Sequence, residues 1–505
     1  MNIGIKTVGV IGAGAMGRGI AQLSCTAGFE TLMFDIDHEA AIEATASVRS
    51  RIKRLIEKGK PINQNAGSKL RDVPNLSDLA KCDLVIEAIV ENLEVKKLLF
   101  RDLELIVGSD TILATNTSSL SVTSIASALK RPERAAGLHF FNPPPLMKIV
   151  EVVRGIRTEK SVLERLHTFV NFFGHYAVQV EDTPGFLLNF IGRAYVTEAF
   201  RLLEDRIADY SVIDRIMRSA GFRMGPFELM DLTGLDVTHP ATEQVYNGYY
   251  NDPRLRPSFI ARNRVAGGLL GKKTTSGFYS DEEIEKFDSP KCSQAAPTIK
   301  FALVGDDETG LKSYEKMFNS FGLSKSVTKN LEEAEFILCA ALGHDAASAA
   351  ITFNIDQKKM FLLDFIASDS TLVTLVRGIS VQAETVGLAR CLLNSANIEV
   401  EVVQDSPGAI KQRIQSMVVN IACEAAQKGL ASPEQIDRAI MLGLGYPKGP
   451  LQMGDEIGPR RILDCLNQMM KATGDPRYRP SLWLRRRAEL GLSLTLMPLS
   501  QQPHN

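Results

Sequence analysis

The sequence has few cysteines and almost no net charge. Among 505 residues there are 7 cysteines, and 58 basic residues against 59 acidic ones leave a net charge of −1. The cysteines are odd in number and widely spaced, which argues against a disulfide framework and against a zinc site. Near-neutrality excludes the global basic field that favours nucleic acid or anionic membrane. We therefore expect a cytoplasmic protein with no metal, nucleic-acid or membrane partner.

Long apolar runs are also absent. No segment approaches the roughly 20 apolar residues of a membrane span, and a strand-like run begins already at Thr7, so no signal peptide is expected. The apolar share of 45% and charged share of 23% are typical of globular proteins. At about 150 residues per domain, the length predicts three or four domains.

The first part of the chain alternates short apolar segments with segments of helical period. The apolar segments are Thr7–Ile11, Thr31–Phe34, Leu84–Ala88, Thr111–Thr115 and Ala135–Leu138. This alternation predicts parallel strands joined by helices, hence an α/β fold with a Rossmann-like, doubly wound sheet over residues 1–185. The charged segment Glu39–Lys60 predicts an exposed helix. Helical spacing then predicts an all-α domain over 186–282.

The second part repeats the first. We interpret 283–299 as a linker, 300–404 as a degenerate Rossmann-like domain and 405–505 as a second helical domain. Four blocks recur at an offset of 223 or 224: 182–185 with 405–408, 213–215 with 436–438, 225–226 with 449–450, and 252–258 with 475–481. Four matches at one offset indicate a duplicated domain.

A glycine-rich loop follows the first strand and precedes a helix. It consists of Gly12, Ala13, Gly14, Ala15, Met16 and Gly17. The first glycine permits the tight turn, the second lets the pyrophosphate approach the backbone, and the third lets the helix pack on the sheet. Asp35, at the end of the next strand, would bind the ribose hydroxyls and repel a 2′-phosphate. The pattern predicts an NAD site; a plain tight turn and a solvated acid are the alternatives.

Three polar segments follow later strands, where this fold places its chemistry. Asn116–Leu120 follows one strand, and Ser118 or Ser119 could simply cap the next helix. His139 follows another strand and could be structural. Glu151 lies within the apolar run Met147–Val153, where a buried carboxylate needs a partner. His139 is the obvious candidate, so the residues alone predict a dehydrogenase acting on an alcohol or carbonyl.

Together these motifs resemble the L-3-hydroxyacyl-CoA dehydrogenase family over about residues 6–280. The matching segments are Gly12–Gly17, Glu87–Asn92, Asn116–Leu120, Gly137–Pro143, Lys148–Val152, Asp182–Asn189 and Gly225–Leu229. The resemblance implies a helical domain like that of 6-phosphogluconate dehydrogenase. It also implies NAD-dependent oxidation of (S)-3-hydroxyacyl-CoA. The expected substrates are 3-hydroxyadipyl-CoA or 3-hydroxybutyryl-CoA, in phenylacetate or fatty-acid catabolism.

The resemblance assigns roles to residues. His139 would be the general base and Glu151 would orient it. Ser118 and Asn189 would bind the substrate oxygens. The residues lining the cofactor would include Glu91, Lys96, Asn116, Ser118 and Asn142. Lys58 would contact the CoA phosphates, together with Arg51 at the position where the family has a serine.

Two rival functions stay open from the sequence. One is a crystallin-like hydroxyacid or sugar-acid dehydrogenase that uses no CoA, and the other is a non-catalytic binding protein on the same fold. Short members of the family dimerise through the helical domain, so we expect the two helical copies to form an internal pseudo-dimer, with homo-oligomers possible. In the second copy Asp306 and Asp307 replace the glycine-loop residues, and Gln412 aligns with Asn189, which predicts one NAD per chain.

Overall fold

A computed structural model describes residues 4–280, 299–365 and 371–497. The predicted linker 283–299 lies outside the described residues except for its last position. The described chain contains two sheets and two sets of helices, which follow one another in the order sheet, helices, sheet, helices.

Eight strands form the first sheet. They are β1 Thr7–Ile11, β2 Glu30–Phe34, β3 Leu70–Asp72, β4 Leu84–Glu87, β5 Ile112–Thr115, β6 Ala135–Phe140, β7 Ile149–Arg154 and β8 Tyr176–Glu181. Their order across the sheet is β3-β2-β1-β4-β5-β6-β7-β8. All neighbouring pairs are parallel except β6 and β7, which are antiparallel. The five predicted strands and the doubly wound sheet are confirmed, whereas β3 and β8 were not predicted.

Five helices cover this sheet. They are α1 Ala15–Thr26, α2 His38–Glu57, α3 Leu93–Ile106, α4 Val122–Ala126 and α5 Lys160–Asn171. In β4, Leu84 and Ile86 join one buried cluster and Val85 joins another. The alternation shows that both faces of the sheet are covered, as a parallel sheet requires. The carboxyl ends of the strands, left uncovered by the helix bodies, are therefore where functional loops gather.

Two sets of helices follow the two sheets. The first set is α6 Leu188–Glu204, α7 Tyr210–Ser219, α8 Pro226–Thr233, α9 Leu235–Gly248 and α10 Phe259–Ala266. The second set, which follows the second sheet, is α14 Lys411–Gln427, α15 Pro433–Leu444, α16 Pro450–Ile457, α17 Pro459–Thr473 and α18 Leu482–Leu490. Helices α6 and α14 have 17 residues each and start 223 residues apart, in line with the duplicated sequence blocks.

The second sheet is smaller than the first. Its elements are β9 Phe301–Gly305, α11 Glu308–Ser320, β10 Val327–Thr328, β11 Phe336–Ala340, α12 Ala346–Phe353, β12 Met360–Leu363, β13 Leu372–Arg377, α13 Ala383–Ser395 and β14 Glu399–Gln404. The strand order is β10-β9-β11-β12-β13-β14, with β12 and β13 antiparallel. The second sheet thus has one antiparallel pair of neighbouring strands, as the first sheet does, but it has two strands fewer.

The described residues divide into two compact units. One comprises residues 4–190 and 429–444, and the other comprises 191–280, 299–365, 371–428 and 445–497. Helix α15 of the second helical set therefore belongs to the unit of the first sheet. Among the described residues, no helix combines the length and the apolar character needed to cross a membrane.

Within the second unit, an arginine of each helical set forms an ion pair with a glutamate of the other set. Arg254 lies after α9 and its Nη1 is 3.1 Å from Oε2 of Glu424 on α14. Arg477, its counterpart 223 residues later, has Nη2 2.8 Å from Oε2 of Glu198 on α6. Each copy of the repeated Asp-Pro-Arg segment thus pairs with the long helix of the other copy.

Candidate active site

The glycine-rich loop leaves the start of α1 open. Gly12 has φ +106°, and a Cβ on it would meet the backbone oxygen of Ala88 at 2.5 Å. A Cβ on Gly17 would overlap the Gly12 carbonyl, whereas one on Gly14 would meet nothing within 4 Å. Gly14 is the N-cap of α1 and supplies no side-chain cap. The free N–H groups at this helix start fit a dinucleotide phosphate.

Asp35 follows β2 next to this loop. Its Oδ2 accepts a hydrogen bond from the Ala13 N–H at 2.7 Å, and its Oδ1 accepts one from the Asp37 N–H at 3.0 Å. The loop and the carboxylate are therefore tied together, while Ala15 and Met16 begin α1. A carboxylate in this position is suited to a ribose with free hydroxyls.

Glu91 organises the loop that follows β5. Its Oε1 accepts hydrogen bonds from Oγ1 of Thr117 at 2.5 Å, from the N–H of Ser118 at 3.1 Å and from Oγ of Ser119 at 2.7 Å. Burial alone would raise the pKa of Glu91. The hydrogen bonds from Thr117 and Ser119 and the charge of Lys96 outweigh burial and lower that pKa. Glu91 is thus a stable carboxylate that fixes the backbone of Ser118.

Lys96 is buried behind Glu91, with 1% of its side chain exposed. Its Nζ lies 2.5 Å from Oε1 of Glu87 and 3.3 Å from Oε2 of Glu91. Glu87 also accepts a hydrogen bond from the Thr115 hydroxyl at 2.8 Å. Sequence reasoning missed Glu87, although a glutamate inside an apolar strand is the signal that identified Glu151. Lys96, which lies on α3, therefore joins two carboxylates, one at the end of β4 and the other just before α3.

His139 and Glu151 are opposite each other in the antiparallel register of β6 and β7. Nδ1 of His139 lies 2.7 Å from Oε2 of Glu151, and their exposures are 5% and 0%. The other oxygen of Glu151 accepts hydrogen bonds from the N–H groups of Leu187 at 3.0 Å and Leu188 at 2.9 Å. The expected pairing is confirmed, and the same carboxylate also caps the start of α6.

The pairing leaves one nitrogen of the His139 ring for chemistry. A hydrogen on Nδ1 satisfies Glu151, so Nε2 is the atom that can accept a proton. The rings of Phe141 and Phe186 lie 4.3 Å and 5.8 Å from the imidazole, measured between centroids. A base oriented by a buried carboxylate beside aromatic rings matches the geometry of general-base catalysis.

The remaining candidates lie on the segments next to those that carry this pair. Nδ2 of Asn189 lies 3.5 Å from the backbone oxygen of Ser118, whose side chain is exposed. Oδ1 of Asn116 accepts a hydrogen bond from the Phe140 N–H at 2.8 Å, which joins the loop after β5 to β6. Asn142 is exposed after β6. These residues are thus placed along the ends of β5 and β6 and the start of α6.

The capping alternative for the serines is wrong. The N-cap of α4 is Ser121, whose Oγ accepts a hydrogen bond from the Ser124 N–H at 3.1 Å. Asp182 adds hydrogen bonds from the N–H groups of Val122 at 3.0 Å and Thr123 at 2.7 Å. Because these residues satisfy the helix start, neither Ser118 nor Ser119 is needed there.

The two candidate CoA contacts are exposed on α2 and at its end. Arg51 lies in the helix and Lys58 is its C-cap, seven residues later. Residues seven apart share a helix face, and Arg54, three residues after Arg51, lies on that face too. Sequence reasoning did not single out Arg54. Three cations on one face can bind phosphates.

In the second sheet, the position that corresponds to the cofactor loop is filled by an ion pair. Gly305 and Gly310 correspond to Gly12 and Gly17, and Asp307 stands in place of Gly14. Oδ1 of Asp307 accepts hydrogen bonds from the Gly310 N–H at 3.1 Å and from Nε of Arg461 at 2.8 Å. The helix start is therefore capped by its own carboxylate.

The second sheet also lacks the segment that carries Glu91. Asp405 caps α12 through the Ala346 N–H at 2.8 Å, as Asp182 caps α4. Helix α12 thus corresponds to α4 and β11 to β5. Within the described residues, no strand and helix of the second sheet correspond to β4 and α3. The carboxylates and lysine of those elements have no counterpart there.

Asp364 takes the place of His139. The register of β12 and β13, continued one pair beyond Leu363 and Leu375, places Asp364 at the position of His139 in the first sheet. Its carboxylate accepts hydrogen bonds from the N–H groups of Lys411 at 2.6 Å and Gln412 at 2.9 Å. The acid caps α14, and no imidazole stands there.

A dinucleotide loop, a histidine–carboxylate pair and an asparagine at one end of a doubly wound sheet define a nicotinamide-dependent dehydrogenase. The comparison with known families agrees. Residues 7–183 match the family described as 3-hydroxyacyl-CoA dehydrogenase, NAD binding domain, and 185–281 and 408–493 both match its C-terminal domain. The chain belongs to the 3-hydroxyacyl-CoA dehydrogenase family.

Known proteins match this chain either over nearly its whole length or over its first part. The chain is 37% identical over 494 residues to 3-hydroxyadipyl-CoA dehydrogenase of Escherichia coli, covering 97% of this chain and 99% of that protein. A crystal structure of 3-hydroxybutyryl-CoA dehydrogenase from E. coli K12 superposes with a TM-score of 0.84 at 35% identity, covering 96% and 98%. Mitochondrial hydroxyacyl-coenzyme A dehydrogenase of Sus scrofa is 40% identical over 285 residues, 54% of this chain and 91% of its own.

Proposed function

We propose that this chain catalyses the reaction (S)-3-hydroxyacyl-CoA + NAD⁺ to 3-oxoacyl-CoA + NADH + H⁺. The observation that carries the proposal is the His139–Glu151 pair, 2.7 Å apart and buried at the end of β6. In the family the chain belongs to, this reaction needs one base for the hydroxyl proton, and Nε2 of His139 is free to act as that base.

The residues divide the chemistry among them. Nε2 of His139 takes the proton of the 3-hydroxyl, and Glu151 stabilises the imidazolium that forms. Ser118 and Asn189 would bind the substrate oxygens and so fix the reacting carbon. The loop Gly12–Gly17 would hold the dinucleotide phosphates, with Glu91, Asn116 and Asn142 beside it. NAD⁺, when bound, supplies the hydride acceptor.

We propose NAD rather than NADP as the cofactor because of Asp35. Its carboxylate is held next to the loop by the Ala13 N–H, where it would repel a 2′-phosphate. Replacing the acid by serine should relax the preference. The ratio of KM values for NADH and NADPH measures this: a ratio that Asp35→Ser leaves unchanged would contradict the assignment.

The CoA moiety would bind the cationic face of α2. Arg51, Arg54 and Lys58 are all exposed there, and phosphates favour such cations. Arg51→Glu combined with Lys58→Glu should raise KM for acyl-CoA and leave KM for NADH unchanged, whereas equal effects on both would argue against this site.

For the acyl group, we propose 3-hydroxyadipyl-CoA or 3-hydroxybutyryl-CoA, the substrates named for the two E. coli relatives. A terminal carboxylate would need a free cation. Arg254 is held by Asp252 and Glu424, so it is already engaged. Comparing kcat/KM for the two substrates separates the alternatives.

The reaction itself can be tested with acetoacetyl-CoA and NADH. Loss of NADH absorbance with the wild-type chain, and its near-abolition in His139→Gln, would support the proposal. Free 3-hydroxy acids oxidised faster than the CoA thioester would indicate a hydroxyacid or sugar-acid dehydrogenase. No turnover of either would indicate a binding protein.

We also propose that the two helical sets reproduce within one chain an interface that shorter family members form between two. The exchanged pairs Arg254–Glu424 and Arg477–Glu198 support this. A chain truncated after residue 280 should then self-associate or precipitate; a stable monomer would contradict the pseudo-dimer. The six described cysteines form no disulfide with one another, which supports placement in the reducing cytoplasm.

A further inference from the structure

Helix α15 lies after the second sheet in sequence but packs on the first. The guanidinium of Arg438 stacks on the ring of Tyr176, 4.2 Å from its centroid. One turn and a half later, Gly443 approaches the sheet so closely that a Cβ on it would overlap Cδ2 of Leu188. That Cβ would also lie 3.3 Å from Cγ2 of Ile149. Ile149 and Tyr176 are register partners in β7 and β8, so these contacts form one patch.

This patch lies directly behind the carboxylate of the catalytic pair. Leu188 donates its N–H to Oε1 of Glu151 at 2.9 Å, and Oε2 of Glu151 holds His139. Ile149 precedes Glu151 by two residues on β7, so the two side chains project from the same face of the strand. Three contacts therefore connect Gly443 to the imidazole.

The glycine has a packing reason to be there. Gly443 lies in the last turn of α15, one residue before the helix ends at Leu444. Its φ is not in the positive region that favours glycine, so the close approach of its neighbours, and not the backbone conformation, accounts for a glycine at this position. Leu188 and Ile149 are both 0% exposed. Because buried side chains are close-packed, Leu188 cannot swing away without moving its neighbours.

We propose that Gly443 and Arg438 are positioning residues for the His139–Glu151 pair. In the second part of the chain, Asp307 caps the helix start that corresponds to the cofactor loop. That part would thus support catalysis by the first part, because α15 would hold Leu188 where its N–H donates to Glu151. This inference rests on the dehydrogenase function proposed above.

The test compares two alanine substitutions in the full-length chain. Gly443→Ala introduces the clash with Leu188. Gly387→Ala is the matched control, because Gly387 lies in α13 and a Cβ on it would meet nothing within 4 Å. Both substitutions favour the helix, but only the first displaces Leu188. We expect Gly443→Ala to lower kcat for acetoacetyl-CoA reduction by about 10- to 100-fold, as sub-ångström to ångström misplacement does. KM for NADH should not change.

A compensating variant makes the test specific. Leu188→Val removes the Cδ atoms that the new Cβ meets, so it should recover most of the lost kcat in the Gly443→Ala background, which is a coupling between contacting residues. A loss of kcat that Leu188→Val does not recover would indicate general destabilisation and overturn the proposal. Equal kcat values in Gly443→Ala and Gly387→Ala would overturn it as well.

Should Gly443→Ala fail to fold, Arg438→Leu decides, since it removes the stacking on Tyr176 and introduces no clash. A fall in kcat with unchanged KM for NADH supports the proposal, and unchanged kcat overturns it. If the wild-type chain itself does not reduce acetoacetyl-CoA, the proposed dehydrogenase function fails, which is a different outcome from any of these.

Discussion

Arg477 and Glu198 form a fully buried ion pair between two parts of the chain 279 residues apart, with Nη2 2.8 Å from Oε2. Glu198 also accepts hydrogen bonds from Nε of Arg413 at 2.7 Å and from the hydroxyl of Tyr478 at 3.0 Å. One carboxylate from the first helical set is thus enclosed by three residues of the second. A carboxylate buried to this degree requires such partners, because its desolvation is costly.

We expect Arg477→Ala to destabilise the second unit severely. The substitution removes one of the two buried cations that compensate Glu198 and leaves Arg413 as the other, so we expect a loss of stability that approaches the roughly 3–5 kcal/mol of breaking an isolated buried pair. The midpoint of urea unfolding, followed by circular dichroism, measures the change. Arg479→Ala, two residues further at a partly exposed position, is the control and should have a small effect. Similar midpoints for the two variants would contradict the importance assigned to the pair.

The same cluster predicts acid sensitivity. Burial alone would raise the pKa of Glu198, but the charges of Arg477 and Arg413 outweigh it and lower the pKa to about 2. As pH falls below the ordinary value of 4.5, the unfolded carboxyl binds a proton before the folded one does, so stability is lost between about pH 4.5 and 2. It is fully present above that window. Glu198→Gln should flatten the dependence of the urea midpoint on pH there; an unchanged slope would contradict it.

Most strands of the first sheet, the duplication and the histidine–glutamate pair could be predicted because each leaves a signal in the sequence itself. The apolar run of β1, the glycine spacing after it and the carboxylate within β7 are all visible in the sequence. The strand β8 was missed because Gln179 and Glu181 interrupt its apolar residues. The ion pairs of Arg254 and Arg477 were missed because they depend on which helix lies opposite, and no local pattern encodes that.

The residues of the candidate active site also divide into those that the sequence identified and those that only the structure shows. Glu91 and Lys96 were identified through resemblance, but only the structure shows Glu87 beneath them and Leu188 behind Glu151. The positions of such supporting residues depend on three-dimensional packing, so the sequence carries little signal for them. Glu87 is visible only as a polar residue in an apolar strand, and Leu188 has no signal of its own.

Glu151→Gln should impair the chemical step while leaving the fold intact. The amide oxygen can still accept the N–H groups of Leu187 and Leu188, which directs the amide NH₂ toward Nδ1 of His139. Nδ1 must then be the acceptor, so the hydrogen moves to Nε2 and the base is blocked. We expect kcat to fall by about 10²- to 10⁴-fold with unchanged NADH affinity, measured by steady-state kinetics and fluorescence titration. A kcat close to wild type would show that Glu151 does not set the tautomer.

Lys96→Met should destabilise the first unit through Glu87. The substitution leaves a carboxylate that is 1% exposed without its cation, at a cost of about 3–5 kcal/mol. Adding Glu87→Gln removes the unpaired charge and should recover most of the thermal stability. Recovery of stability without recovery of kcat would further show that Lys96 acts on Glu91 as well. A double variant no more stable than Lys96→Met would contradict the pairing.

Titration calorimetry should find one NAD site in each chain. In the first copy the start of α1 is open at Gly14, whereas in the second Asp307 caps α11 and binds Arg461, so a phosphate there would face a carboxylate already using the helix N–H groups. Gly12→Val should abolish all NAD binding, because its Cβ would meet the Ala88 carbonyl. Asp307→Asn should leave the stoichiometry unchanged. A second site per wild-type chain, or binding that survives Gly12→Val, would show that the second sheet still holds a dinucleotide.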